Sequence, residues 1–235
     1  MSTTARPTYL PTTHDIRDAF AEEIASLGGT THDVYDDGER LFLRSVLPRD
    51  TEVRPGDRIQ GGVAVRATGS EILVHPYTLR QVCTNGAIAA QALETRRIER
   101  APASDVYAPR YEGTVVLATL REAVQSCASR EAFATVTSEM RSAIEREADL
   151  AITLGSMLGR ISAGMGAEWL PQIFSRFTAD GDRSAFGFMN AVTAVAREVR
   201  DPELRWRLEE FGGSVPARLS PRPKVAPSAS VAAGV

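Results

Sequence analysis

"RIQGGVAVRATGSEILVHPY" (Arg58–Tyr77) is the stretch on which the fold turns. Ile59, Val63 and Val65 alternate with Arg58, Gln60, Ala64 and Arg66, the two-residue period of a strand with one buried face. Thr68-Gly69-Ser70 supplies a turn, and "EILVHPY" beyond it reads as the hairpin partner. Gly61-Gly62 inside a strand predicts a bulge or a close backbone approach.

Upstream, Pro55-Gly56-Asp57 is a turn, and "HDVYDDGERLFLRSVLP" reads as two strands around Asp36-Asp37-Gly38. Before them, Ile16, Phe20, Ile24 and Leu27 recur at helical spacing. Thr13 stands as the N-cap and Gly28-Gly29 as the stop. Downstream the period changes. "GAIAAQALETRRIER" is rich in helix formers, so a helix is expected from Gly86 with Asn85 as its cap. "ASDVYAPRYEG" reads as a linker or irregular strand. Helical spacing returns at Leu117, Leu120, Val124 and Cys127, at Phe133, Val136, Met140 and Ile144, and at Met189, Val192, Val195 and Val199.

The last element has Asp201 as cap, Pro202 at the first position, a stripe of Leu204, Leu208 and Phe211, and Gly212-Gly213 as the expected stop. Strands early and helices late predict an α+β domain over residues 1–215, a largely antiparallel sheet packed by helices on one face. Residues 216–235, rich in Pro, Ser and Ala, are expected to form a disordered tail.

Net charge is -3, with 26 of the 27 basic residues arginine. There is no global pull towards nucleic acid or anionic lipid. The first 57 residues carry 11 acidic and 6 basic side chains, so any cationic surface must be local. Two cysteines suit a cytoplasmic location. No apolar run reaches membrane-spanning length, and "MSTTARPTYLPTTHD" lacks the apolar region of a secretory signal.

Several chemistries leave no trace. "LGSMLGRISAGMG" has glycines but no phosphate-reaching lysine, and neither G-x-G-x-x-G nor G-x-S-x-G occurs in a supporting context. His14, His32 and His75 lie in different elements, and neither cysteine has a partner at C-x-x-C spacing. No metal set or cofactor is expected. The pattern favours a binding protein over an enzyme.

"LRQVCTNGAIAA" (Leu79–Ala90) holds the exception. Cys83 could be a nucleophile with Arg80 beside it and His75 as base. The alternative, preferred here, makes Cys83 a small buried side chain and Asn85-Gly86 a cap and turn. "GGVAVRATGSEILVHPYTLRQVCTNGAIA" also resembles the phage/plasmid-like protein family, a domain of unknown function found on mobile elements. Its Arg-x-Val-Cys-Thr-Asn-Gly signature is matched by Arg80, Cys83, Thr84, Asn85 and Gly86. "FGFMNAVTAVAREVRDPELRWRLEEFGG" is similar to a second stretch of that family, with Asn190, Ala191 and Thr193 in the matching places. The resemblance implies a mobile-element context and names no activity.

Proteins of such contexts without catalytic motifs often handle single-stranded DNA, and this chain is expected to do so as a homo-oligomer. Arg58 and Arg66 share one strand face, and Arg96, Arg97 and Arg100 cluster at the end of the expected helix. Together they would line one phosphate-binding groove. Trp206, flanked by Arg205 and Arg207, lies off the Leu204/Leu208 stripe and covers either a second core patch or a partner. Trp169 is expected in the core.

Overall fold

The computed structural model describes residues 11–90, 96–99, 113–149, 155 and 167–218. Helix α1 (Thr13–Ser26) buries Ile16, Phe20 and Ile24. Its cap is Thr12, one residue before the expected Thr13. The Thr12 hydroxyl accepts from the Asp15 amide, and the Asp15 carboxylate accepts from the Thr12 amide at 2.7 Å, so two amide donors at the helix start find acceptors. Gly28, at φ 74°, ends it.

Seven strands follow: β1 (Thr30–Asp36), β2 (Leu41–Val46), β3 (Asp50–Arg54), β4 (Asp57–Ala67), β5 (Glu71–Arg80), β6 (Asn85–Ile88) and β7 (Arg96–Glu99). All pairings are antiparallel, in the order β1-β2-β4-β5-β6, with β3 also on β4 and β7 also on β5. The fold is therefore α+β, and the β4–β5 hairpin is its spine, in register from Ala67↔Ile72 to Ile59↔Arg80. The expected close approach is at Gly62, where a Cβ would lie 1.9 Å from the Ser45 carbonyl oxygen.

The helix expected from Gly86 is not there. Asn85–Ile88 pairs with Tyr77–Arg80, and Arg96–Glu99 pairs with Glu71–Val74 along the same edge of β5. Helix propensity differs among ordinary residues by only a few tenths of a kcal/mol each, about 0.7 at most. Pairing and burial on an open strand outweigh that, and all four residues of β6 are buried.

Among the described residues, helices α2 (Gly113–Cys127), α3 (Arg130–Ile144), α4 (Leu170–Ala179, after a 3-10 turn at Ala167–Trp169), α5 (Ala185–Glu198) and α6 (Pro202–Arg218) follow. They cover both faces of the sheet, not one. Leu41, Leu43, Val63, Val65, Ile72 and Val74 face α1 and α2. The alternate residues Phe42, Ala64 and Tyr77 face Trp206 of α6, which is fully buried in the second core patch. A third core joins α3, α4, α5 and α6 to Val53, Ile59 and Ala87 of the sheet, with Trp169 packed at its margin.

Gly212-Gly213 does not end the last helix, which continues to Arg218. The pair lets α6 approach its neighbours. A Cβ on Gly213 would lie 2.1 Å from the Ile88 carbonyl oxygen, and one on Gly212 2.7 Å from the Thr193 methyl. The tail boundary expected at Pro216 falls inside this helix, and Pro216 is buried. Residues 219–235 and the "ASDVYAPRYEG" segment up to Glu112 lie outside the described residues.

Candidate functional site

The family-like signature forms the turn between β5 and β6. Arg80 pairs with Asn85 in register, leaving Gln81, Val82, Cys83 and Thr84 as an exposed four-residue loop. Thr84 has φ 51°, the one positive φ outside glycine among the described residues. A non-glycine residue in that region costs of order 1 kcal/mol and persists only where its surroundings enforce it. Here two guanidiniums enforce it. Arg197 of α5 donates to the Cys83 carbonyl oxygen at 2.8 Å. Arg80 donates to the Cys83 sulfur at 3.5 Å.

Arg80 is itself fixed. It grips Asp57 through two hydrogen bonds of 2.7 Å, in the planar fork geometry that arginine and carboxylate share. Asp57 also accepts from Arg54, which reaches Asp182 at 2.6 Å. Both guanidiniums lie over the Phe186 ring. The alternation Asp182–Arg54–Asp57–Arg80 thus ties β3, β4 and β5 to the start of α5 beneath the turn. Within the signature, Gly86 has a steric role: a Cβ there would lie 2.1 Å from the Tyr77 hydroxyl. Asn85 is buried in β6 and caps no helix.

Cys83, expected in the core, is exposed. The hairpin explains this: a four-residue loop at the end of β5 and β6 projects past the helices that cover the strands. Val82 beside it is 62% exposed. The nucleophile–base pair also fails to assemble. His75 is buried against Trp206 at 5.8 Å between ring centroids, with both ring nitrogens lacking a hydrogen-bond partner. Burial pushes its pKa down to about 4. Cys127 is the core thiol, its pKa pushed up to about 12 by burial.

The expected arginine groove does not converge. Arg58 and Arg66 stand on the same face of β4, eight residues and roughly 27 Å apart at strand rise. Arg58 pairs with Asp50, and Arg66 is half-buried between Glu71 and Glu203. Arg97 also reaches Glu71, at 2.7 Å. Because β7 is a strand, Arg96 and Arg97 point to opposite faces: Arg96 sits opposite Val74 and Arg97 opposite Leu73. Arg100 lies outside the described residues.

A second polar cluster escaped the sequence reading, since its pairs between elements are 11 to 176 positions apart. Arg44, buried on β2, donates to Glu209 of α6 at 2.7 Å and to Asp33 of β1 at 3.1 Å. Arg205 bridges the same two carboxylates, each at 3.0 Å. His32 lies 3.3 Å from the Tyr77 hydroxyl, and burial lowers its pKa. The residues flanking Trp206 therefore serve the interior as much as the surface. The cluster docks α6 on the sheet.

No family model, curated protein or solved structure matches this chain. Among the described residues there is no metal-binding group of side chains and no helix long and apolar enough to cross a membrane.

Proposed function

We propose that the protein is a non-catalytic, oligomeric protein of phage/plasmid type that handles single-stranded DNA, with the Gln81–Thr84 turn as its contact. The turn carries this reading. It is exposed, held in a strained conformation by Arg80 and Arg197, and presents Val82 to solvent. A pre-ordered loop loses little freedom on binding. Cationic and apolar groups side by side suit phosphates and bases respectively. Arg197, exposed beside the turn, takes the place of the five-arginine groove as a phosphate contact.

Salt-titrated anisotropy with a labelled oligonucleotide tests it. Affinity should fall with salt, and each lost phosphate contact should flatten the log–log slope by about 0.7. Arg197→Ala should do so, and Val82→Ser should weaken binding without changing the slope. An absence of binding at low salt, where the electrostatic attraction is greatest, rules the reading out.

A second reading, thiol chemistry at Cys83, is favoured by the exposure of its sulfur beside Arg80. It lacks the base that a hydrolytic nucleophile needs, because His75 is elsewhere. An iodoacetamide rate profile separates the two. An inflection well below pH 8 marks an activated thiolate, and one at the ordinary thiol value marks a passive side chain.

A further inference from the structure

Among the described residues β1, β3, β6 and β7 are bonded on one side only, and β1 and β7 carry opposite net charge. β1 is bonded on one side only, to β2, and among the described residues no strand covers the outer edge of β7. The β1 hairpin from Asp36 to Arg40 carries Asp36, Asp37 and Glu39 against Arg40, a net of -2, Asp33 being paired with Arg44 and Arg205. β7 carries Arg96 and Arg97, both exposed, and Glu99, a net of +1, with Arg97 also bonded to Glu71. β1 also displays Val34 and Tyr35, two of the five large apolar side chains exposed among the described residues. They sit on opposite faces of the strand, so each face of an added strand would have something to cover.

We infer that β1 of one copy pairs with β7 of a second copy of this chain, extending the sheet between subunits. A bulge between Thr31 and Asp33 interrupts β1, leaving Asp33–Asp36 as its regular segment. The backbone is aimed correctly. Asp37 donates to the Arg40 carbonyl, so by the alternation of an antiparallel ladder Tyr35 and Asp33 bond inwards to β2. The amides and carbonyls of Val34 and Asp36 then point out. Asp33–Asp36 of β1 holds neither lysine nor proline, the residues that most often blunt such an edge, and the bulge lies before it. Because the two surfaces differ, the contact is head-to-tail and builds a ring or a filament. The interface belongs to the oligomeric half of the function proposed above and stands without the nucleic-acid half.

Sedimentation of the full chain without DNA, over a range of concentration and salt, provides the test. The mass should rise with concentration at low salt and fall as salt screens the edges. Val34→Pro removes one outward amide and leaves the β1–β2 bonds intact, as edge strands tolerate. It should give a monomer with an unchanged circular dichroism spectrum. Val34→Lys should do the same and covers a failure of the proline variant to fold. Arg96→Glu with Arg97→Glu should also be monomeric. Mixed one to one, a Val34 variant and the arginine variant should form a dimer, since each retains the edge that the other lacks. A wild-type monomer at every concentration overturns the inference. So does an unchanged mass in both Val34 variants, or a mixture that stays monomeric. Loss of DNA binding with assembly intact would count against the nucleic-acid reading alone.

Discussion

Gly213→Ala separates a glycine that ends a helix from one that lets a helix pack. The new methyl would lie 2.1 Å from the Ile88 carbonyl oxygen and 2.6 Å from its carbon. Ordinary contact begins near 3.4 Å, so α6 and β6 must part by roughly 1 Å, a gap that forfeits a quarter to a half of the dispersion contact across it. On its inner side α6 buries Trp206, Leu208, Phe211 and Val215. Burial of four such side chains is worth roughly 6–12 kcal/mol, and because those away from Gly213 part by less than the full gap, losing a quarter to a third costs about 2–4 kcal/mol. The better helix propensity of alanine offsets about 1 kcal/mol. The net loss of about 1–3 kcal/mol should lower Tm by roughly 3–10 °C for a chain of this size.

Differential scanning calorimetry reads this directly. Gly38→Ala is the control: its glycine has φ 86° and no atom within 4 Å of the new methyl, so only the backbone cost of about 1 kcal/mol applies. Gly213→Ala should also show faster amide exchange at Ser214 and Val215, which are buried. A Gly213→Ala protein that melts at or above wild type would refute the close-packing account.

Glu209→Gln should destabilise by about 1–3 kcal/mol in urea unfolding, because the buried Arg44 loses its nearer anion and keeps Asp33. Arg44→Met with Glu209→Leu should cost much less than the sum of the single changes. With a thiol reagent, one sulfur should react at once and the other only on unfolding, because Cys83 is exposed and Cys127 buried; equal rates would contradict the placement of either. The folded pKa of His75 lies below its unfolded value, near 4 against 6.5. Its stabilising contribution is therefore complete above pH 6.5 and is lost as pH falls towards 4. Between pH 7 and 5 the loss should be about 2 kcal/mol, and His75→Phe should lack that part of the acid slope.

Much of the fold can be read from local pattern alone. The β1–β2 and β4–β5 hairpins, α1, α2, α3 and α5 each carry their own period and turn residues, which act within a dozen positions. β3 and α4 were not anticipated from the sequence. The candidate site was half legible. The signature stretch drew attention to Arg80 through Gly86, but its conformation rests on Asp57 and Arg197, which no short motif links to it.

What only the tertiary structure decided falls at places where long-range partners compete with local preference. Residues 85–88 form a strand because the edge of β5 was open to them, against a difference of a few tenths of a kcal/mol per residue. Arg96 and Arg97 part to opposite faces for the same reason. Gly212-Gly213 looks identical in sequence whether it stops a helix or packs one. The distance to Ile88 and Thr193 distinguishes them, and that distance exists only once β6 and α5 are in place. Cys83 carries the composition of a core residue, yet a four-residue hairpin loop holds it in solvent. Periodicity sets which face of an element is apolar; which element that face meets is set by the packed chain.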